Sequence, residues 1–346
     1  KLGFIFDVFK RVQNGLLGTR VASLPNSFGA SFPQENLNTH FQQGFDFSIS
    51  HRNTINKFTY GITGTFTYSR NYYKHIERSP NWSTYDVWTN GNDTYNDQGR
   101  VQGRVFMLQR DGIYTSLEEY ETAPLCGGTL GNYMMLPGMD KVVDYNGDGR
   151  IDAGGWFSTS TDALPIGWSG AGTNPPMQFG ATLNASYMGF DVVISMAGSS
   201  LFTMAKSRTD QWGYGTQYRF FLAEYLDRWH TENDTDNPRD PATVWIPGKW
   251  EALTINASNT TTGIQTDKWR VDATYLRIKT VELGYNIPLK YVRVIGLKSA
   301  RVYLNGYNLL TFCNDFLKDQ DPERDEGPYG AGNTYPIMRS FNMGLN

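Results

Sequence analysis

Two stretches of the chain alternate between apolar and small polar residues almost without interruption. In the first, Phe58, Tyr60, Ile62, Phe66 and Tyr68 stand against Thr59, Gly61, Thr63, Thr65, Thr67 and Ser69. In the second, Met177, Phe179, Ala181, Leu183, Ala185 and Tyr187 stand against Gln178, Gly180, Thr182, Asn184 and Ser186. A period of two places side chains on opposite faces of a strand, so each stretch has one apolar face and one face of small polar groups. Lys, Glu and Arg, which usually face water from a soluble sandwich strand, are missing from the polar face. Small uncharged groups suit the wet interior of a membrane barrel. A twisted antiparallel sheet in a large secreted protein has the same period, and these two strands alone leave both readings open.

Further strands are predicted at Phe4–Phe9, Gly44–Ser50, Phe190–Met196, Tyr275–Tyr285, Arg301–Phe312 and Met338–Asn346. Tight turns are predicted through His51 to Asn56 and at Met188-Gly189, both joining hairpins. Within Tyr275 to Tyr285 the apolar phase shifts from Leu276 and Ile278 to Val281, Leu283 and Tyr285. Either a bulge near Lys279 or passage of the strand from an aqueous extension into a lipid belt explains it. Long connections span about 70–175, 202–271 and 313–337. Structureless loops of such length are rare in compact domains, whereas outer-membrane barrels pair short turns on one side with long loops on the other. With eight strands counted in order, every short turn falls on one side.

Composition sharpens this picture. Of 346 residues, 39 % are hydrophobic, 14 % aromatic and only 19 % charged, a poor match to an ordinary globular core. A net charge of −3 leaves no basic footprint for nucleic acid. No run approaches the ~18 apolar residues of a spanning helix, so a membrane reading is a barrel reading. The chain opens directly on a strand, without a signal peptide, and reads as a piece of something longer. Cys126 and Cys313 show no motif spacing; two separate thiols are expected in preference to a disulfide.

The sharpest local motif runs from Asp144 to Asp152. Asp144, Asn146, Asp148, Arg150 (through its carbonyl) and Asp152, with Gly149 at the sixth position, match the first part of a calcium loop. The twelfth position is Gly155 where a bidentate Glu is wanted, so the loop is an incomplete calcium site or an Asx-rich turn held by its own hydrogen bonds. No organic cofactor is indicated. All nine tryptophans lie in the two longest loops. Trp82, Trp88, Trp156, Trp168, Trp212, Trp245 and Trp250 are candidates to face a ligand or partner; the other use of such rings is to form the small cores that keep long loops folded. The four histidines are scattered, and no nucleophile elbow or phosphate loop occurs. Loop carboxylates such as Glu118, Glu119 and Glu121, or Asp319 to Glu326, are expected to be solvated. An enzyme is not expected.

The order of blocks along nearly the whole chain resembles the C-terminal third of SusC-like TonB-dependent outer-membrane transporters. The blocks that carry this are Gln42 to Ser50, Arg110 to Tyr114, Asp144 to Asp152, Leu226 to Asn233, Asp272 to Pro288, Ala300 to Phe312, Asp321-Pro322-Glu323 and Tyr335-Pro336. The resemblance implies an all-β transmembrane antiparallel barrel, residues 1–346 supplying the last eight or so strands of a 22-stranded wall with long extracellular loops. The plug and the remaining strands lie outside this sequence. It further implies residence in the bacterial outer membrane, a SusD-like surface lipoprotein as partner, TonB acting through the missing N-terminal region, and import of a glycan or oligopeptide. Family barrels usually end in an aromatic residue; this sequence stops at Asn346, and a few residues are expected to follow. The competing expectation is a secreted β-rich carbohydrate-binding or hydrolytic protein with a calcium loop.

Overall fold

The computed structural model describes residues 1–20, 33–77, 98–126, 136–145, 147–151, 162, 164–168, 175–205, 223–233, 235–252, 266–317, 321–323 and 337–346. Its frame is one antiparallel sheet of eight strands in simple sequence order. These are β1 (Leu2–Thr19), β2 (Gln34–Ile55), β3 (Phe58–His75), β4 (Met177–Tyr187), β5 (Phe190–Ser200), β6 (Tyr275–Asn286), β7 (Arg301–Phe312) and β8 (Ser340–Leu345). All eight predicted strands are present. β1 and β8 form the two edges, so the sheet is an open arc of wall.

Pairing carries the alternation from strand to strand. One lateral row reads Leu2, His51, Ile62, Leu183, Ile194, Val281, Gly306 and Phe341 across all eight strands. Another reads Phe6, Phe47, Phe66, Phe179, Gly198, Leu276 and Phe312. On the opposite face the corresponding row is Gly3, Ser50, Thr63, Thr182, Ser195, Thr280, Tyr307 and Ser340. One face is therefore predominantly apolar, interrupted on β2 by His51 and Asn53, and the other predominantly polar. Large side chains on the apolar face stand open in mid-sheet, Ile62 at 45 % exposure and Leu283 at 53 %. An apolar surface of this extent, banded by aromatic rings, belongs against lipid. At the short-turn end that band is Phe58, Tyr187, Phe190 and Tyr285 in successive register, with the last two rings 4.5 Å apart.

The turns follow from backbone chemistry. Met188 and Gly189 both take positive φ (50° and 93°), the requirement of the two-residue turn that matches strand twist. β2 and β3 join through Asn56 and Lys57, with Asn56 at φ 55°. The third turn, 287–300, carries a short helix, Leu289–Val292, continued as a 3₁₀ turn, Arg293–Ile295. Lys279 is a bulge: Ser195 pairs with Thr280 while Met196 pairs with Ile278. This resolves the phase shift in favour of the first of its two explanations.

β1 and β2 run well beyond the predicted segments, β2 to 22 residues where about 9–11 suffice to span. The extra length around Arg11–Asn14 and Asn36–Gln43 is mostly polar; Val12 pairs with Phe41, which stacks on Tyr72, but polar neighbours on both faces leave the alternation weak. The fully buried side chains lie elsewhere. Tyr225, Met107, Met139, Leu317 and Val292 are all in connections between the barrel strands. The connections are built around small sheets, pairing Arg104–Met107 with Leu164–Trp168, Arg110–Ile113 with Asp140–Val142, and Thr203–Ala205 with Arg270–Asp272.

Candidate functional site

A wall of this kind offers two surfaces for function, the polar face and the loops at the open end. On the polar face near the short turns, Arg301 joins Asp191 to Glu282, the latter at 2.6 Å, and Asn286 donates to Asp191 at 3.2 Å. These charges come from β5, β6 and β7, so they tie three neighbouring strands together on the side away from lipid.

At the other end of β6 the connection after β7 folds back onto the polar face. Arg277, 3 % exposed, donates to Asp321 at 2.6 Å and to Glu323 at 2.9 Å, and its Nε reaches Thr311 at 2.9 Å. Lys279, displaced by the bulge, meets Glu323 at 2.5 Å. The Tyr275 hydroxyl donates to the same carboxylate at 2.9 Å. Beneath this cluster Phe202, Met204, Ala273, Tyr275 and Leu317 form an apolar core, with Cys313 and Phe316 packed on it. The two carboxylates are thus braces for a loop and are not solvated as the sequence suggested. Burial of an ion pair this deep demands that nearly every lone pair and proton be used, and here they are.

A second hub joins the two longest connections to each other. Arg110 donates to Asp140 at 2.5 Å; Lys268 lies 3.6 Å from Asp140 and 2.6 Å from Glu251. Asp140 and Glu251 are each 1 % exposed. Desolvation first, then the neighbouring Asp140 charge, pushes the Glu251 carboxyl up to about 8, with Lys268 pulling the other way. The Lys268 ammonium also sits over Trp250 and Trp269, at 5.3 and 5.1 Å from the ring centres.

Trp250, 5 % exposed, packs edge-on against Tyr225 and stacks with Trp269. It therefore holds the loop together and presents no surface to a ligand, which corrects the sequence expectation for this residue. Trp245 is half-buried on the two-residue strand Trp245–Ile246, paired with His230–Thr231. Trp82, Trp88, Trp156 and Trp212, and the side chain of Trp168, lie outside the described residues. In the calcium-like loop, Asp144 Oδ1 and Oδ2 accept from the Gly147 and Gly149 amides at 2.7 and 2.8 Å, and Asp148 accepts from Arg150 N at 2.8 Å. These are the bonds of an Asx-rich turn. Asn146 and Asp152 lie outside the described residues, among which no three His, Cys, Asp or Glu side chains gather to hold a metal ion.

The two charge hubs escaped the sequence reading because their members are far apart in the chain. The one local signal was the pair of bases, Arg277 and Lys279, close together in a strand whose other charge is Glu282.

Taken together, a lipid-fitting outer face, a polar inner face, short turns at one end and braced loops at the other define a segment of transmembrane β-barrel wall. No family model matches the chain. It is similar over its whole length to TonB-dependent receptor P3 of Formosa agariphila (26 % identity, 32 % of that protein), and over 68 % of its length to TonB-dependent receptor P26 of the same organism (31 % identity, 21 % of that protein). Its fold matches the structure of the RagAB peptide transporter with TM-score 0.61 and 18 % identity, covering 99 % of this chain and 33 % of that one. The RagAB peptide importer in the "open-open" state gives TM-score 0.60 at 17 % identity, over all of this chain and 32 % of the other. The chain is a relative of the TonB-dependent receptors, proteins of the outer membrane that transport and do not catalyse, and spans about a third of their length.

Proposed function

We propose that the chain supplies wall and extracellular loops to a transporter that imports a glycan or oligopeptide across the bacterial outer membrane. The observation that carries this is the eight-strand sheet with one predominantly apolar face, in a chain similar over its full length to TonB-dependent receptor P3. Energy would arrive through TonB acting on a plug domain outside this sequence. A SusD-like surface lipoprotein would close over the loops, which the Arg277 and Lys268 hubs hold in fixed relation to the wall. Peptide as cargo is supported by the likeness to RagAB, glycan by the abundance of loop tryptophan. In this reading the short turns face the periplasm, as the short turns of outer-membrane barrels do.

The test is uptake by cells carrying the full-length gene. Labelled oligopeptides and oligosaccharides should accumulate in one class only, and accumulation should stop when TonB is deleted. Uptake that persists without TonB would defeat this reading.

A further inference from the structure

The turn 287–300 between β6 and β7 has features that neither the sheet nor the transport reading uses. Its helical turns and the residue beyond their glycine cap are apolar yet open: Leu289 is 52 % exposed, Tyr291 59 %, Val294 83 % and Leu297 48 %, while Val292 is buried at 2 %. Between them stand Lys290, Arg293 and Lys298, and no Asp or Glu occurs from Ile287 to Ala300. Lys290 lies 4.6 Å over the Tyr291 ring. The adjoining turn, Met188-Gly189, carries no acid, and the next one along the same edge, Asn56-Lys57, adds a further base. The acids at this end of the sheet, Asp191 and Glu282, are on the polar face and already held by Arg301. The turn also continues the lipid-facing row Tyr285, Val302 and Leu345, from which it departs and to which it returns.

We propose that this turn is a phospholipid-binding rim. Leu289, Tyr291, Val294 and Leu297 lie among the outermost acyl carbons, and Lys290, Arg293 and Lys298 hold anionic headgroup phosphates of the periplasmic leaflet. Mixed apolar and basic surface with a Tyr at the boundary is the chemistry of an interfacial segment, and each basic side chain near an anionic surface strengthens binding about fivefold. The proposal rests on the membrane orientation given above.

The experiment uses the full-length transporter purified in detergent, titrated with phosphatidylglycerol or with phosphatidylcholine and read by native mass spectrometry. Wild type should bind phosphatidylglycerol more tightly, and Lys290→Gln/Arg293→Gln/Lys298→Gln should weaken that lipid at least about tenfold while leaving phosphatidylcholine unchanged. Lys290→Arg/Lys298→Arg should retain binding. Resistance of the barrel to unfolding in cold SDS is the folding control for each variant. An intact barrel whose phosphatidylglycerol affinity ignores the triple substitution overturns the proposal. So does photo-crosslinking of residues 289–298 to protein in place of lipid in native membranes, which also decides the matter should the triple variant fail to fold. A wild-type protein that dissolves without detergent would instead defeat the membrane reading itself.

Discussion

Single residues show how tightly the wall is specified. Gly44 faces Ser69 across β2 and β3, and a Cβ there would collide with the Tyr68 carbonyl oxygen and lie 2.8 Å from Ser69 Cα. That is a physical reason for a glycine inside a long strand. Arg277 is the most consequential charge. Arg277→Ala leaves Asp321 and Glu323 facing a buried site without their main partner, a loss of about 3–5 kcal/mol for breaking a buried pair. The loop after β7 should then become protease-sensitive while the barrel stays folded in cold SDS. Glu251 governs pH response. Its carboxyl keeps its proton up to about 8 in the folded loops, but ionises near 4.5 once exposed. Between those values the unfolded loops bind fewer protons than the folded ones, so loop stability should fall as pH rises from about 4.5 to 8 and level off above. Hydrogen exchange of residues 104–126, 136–142 and 266–272 should follow that curve, and Glu251→Gln should flatten it.

At the scale of elements, the faces of the strands carry the argument. Ile62 pairs with Leu183 on the lipid side, and Thr63 with Thr182 on the polar side, one residue away. Ile62→Arg or Leu183→Arg should cost about 2–4 kcal/mol if the position is near the bilayer centre, and Thr63→Arg or Thr182→Arg far less. Urea titration of the refolded full-length barrel in lipid vesicles measures both; equal losses from the two faces would refute the assignment. The eight strands were legible because lipid on one side and water on the other impose strict alternation. The upper halves of β1 and β2 were hidden because polar residues stand on both faces there and only a few apolar ones, such as Val12 and Phe41, keep the alternation. Lys279 was legible only as a break in phase, since a bulge and a change of solvent leave the same trace in sequence. Among the loops, Trp250 could be read either as ligand surface or as core; burial against Tyr225 and Trp269 decides for core.

The whole molecule divides its labour unusually. The sheet has little interior of its own, and its apolar face is completed by lipid, while the side chains buried most completely belong to the connections. Charge hubs link those connections to the wall and to each other: Arg277 and Lys279 hold the loop after β7, and Lys268 joins Asp140 to Glu251. Such bracing suits loops that must present a fixed surface above a pore. These long-range contacts had no counterpart in the sequence, because partners such as Asp140 and Lys268 share no spacing. The eight-strand sheet, with β1 and β8 as its edges, matches about a third of a longer barrel chain. The most direct measurement is extraction of native outer membranes, with and without detergent, followed by purification through this polypeptide and mass spectrometry. The account predicts recovery only with detergent, within a chain about three times as long, beside a surface lipoprotein. Recovery of a lone chain of this length in the aqueous fraction would contradict it.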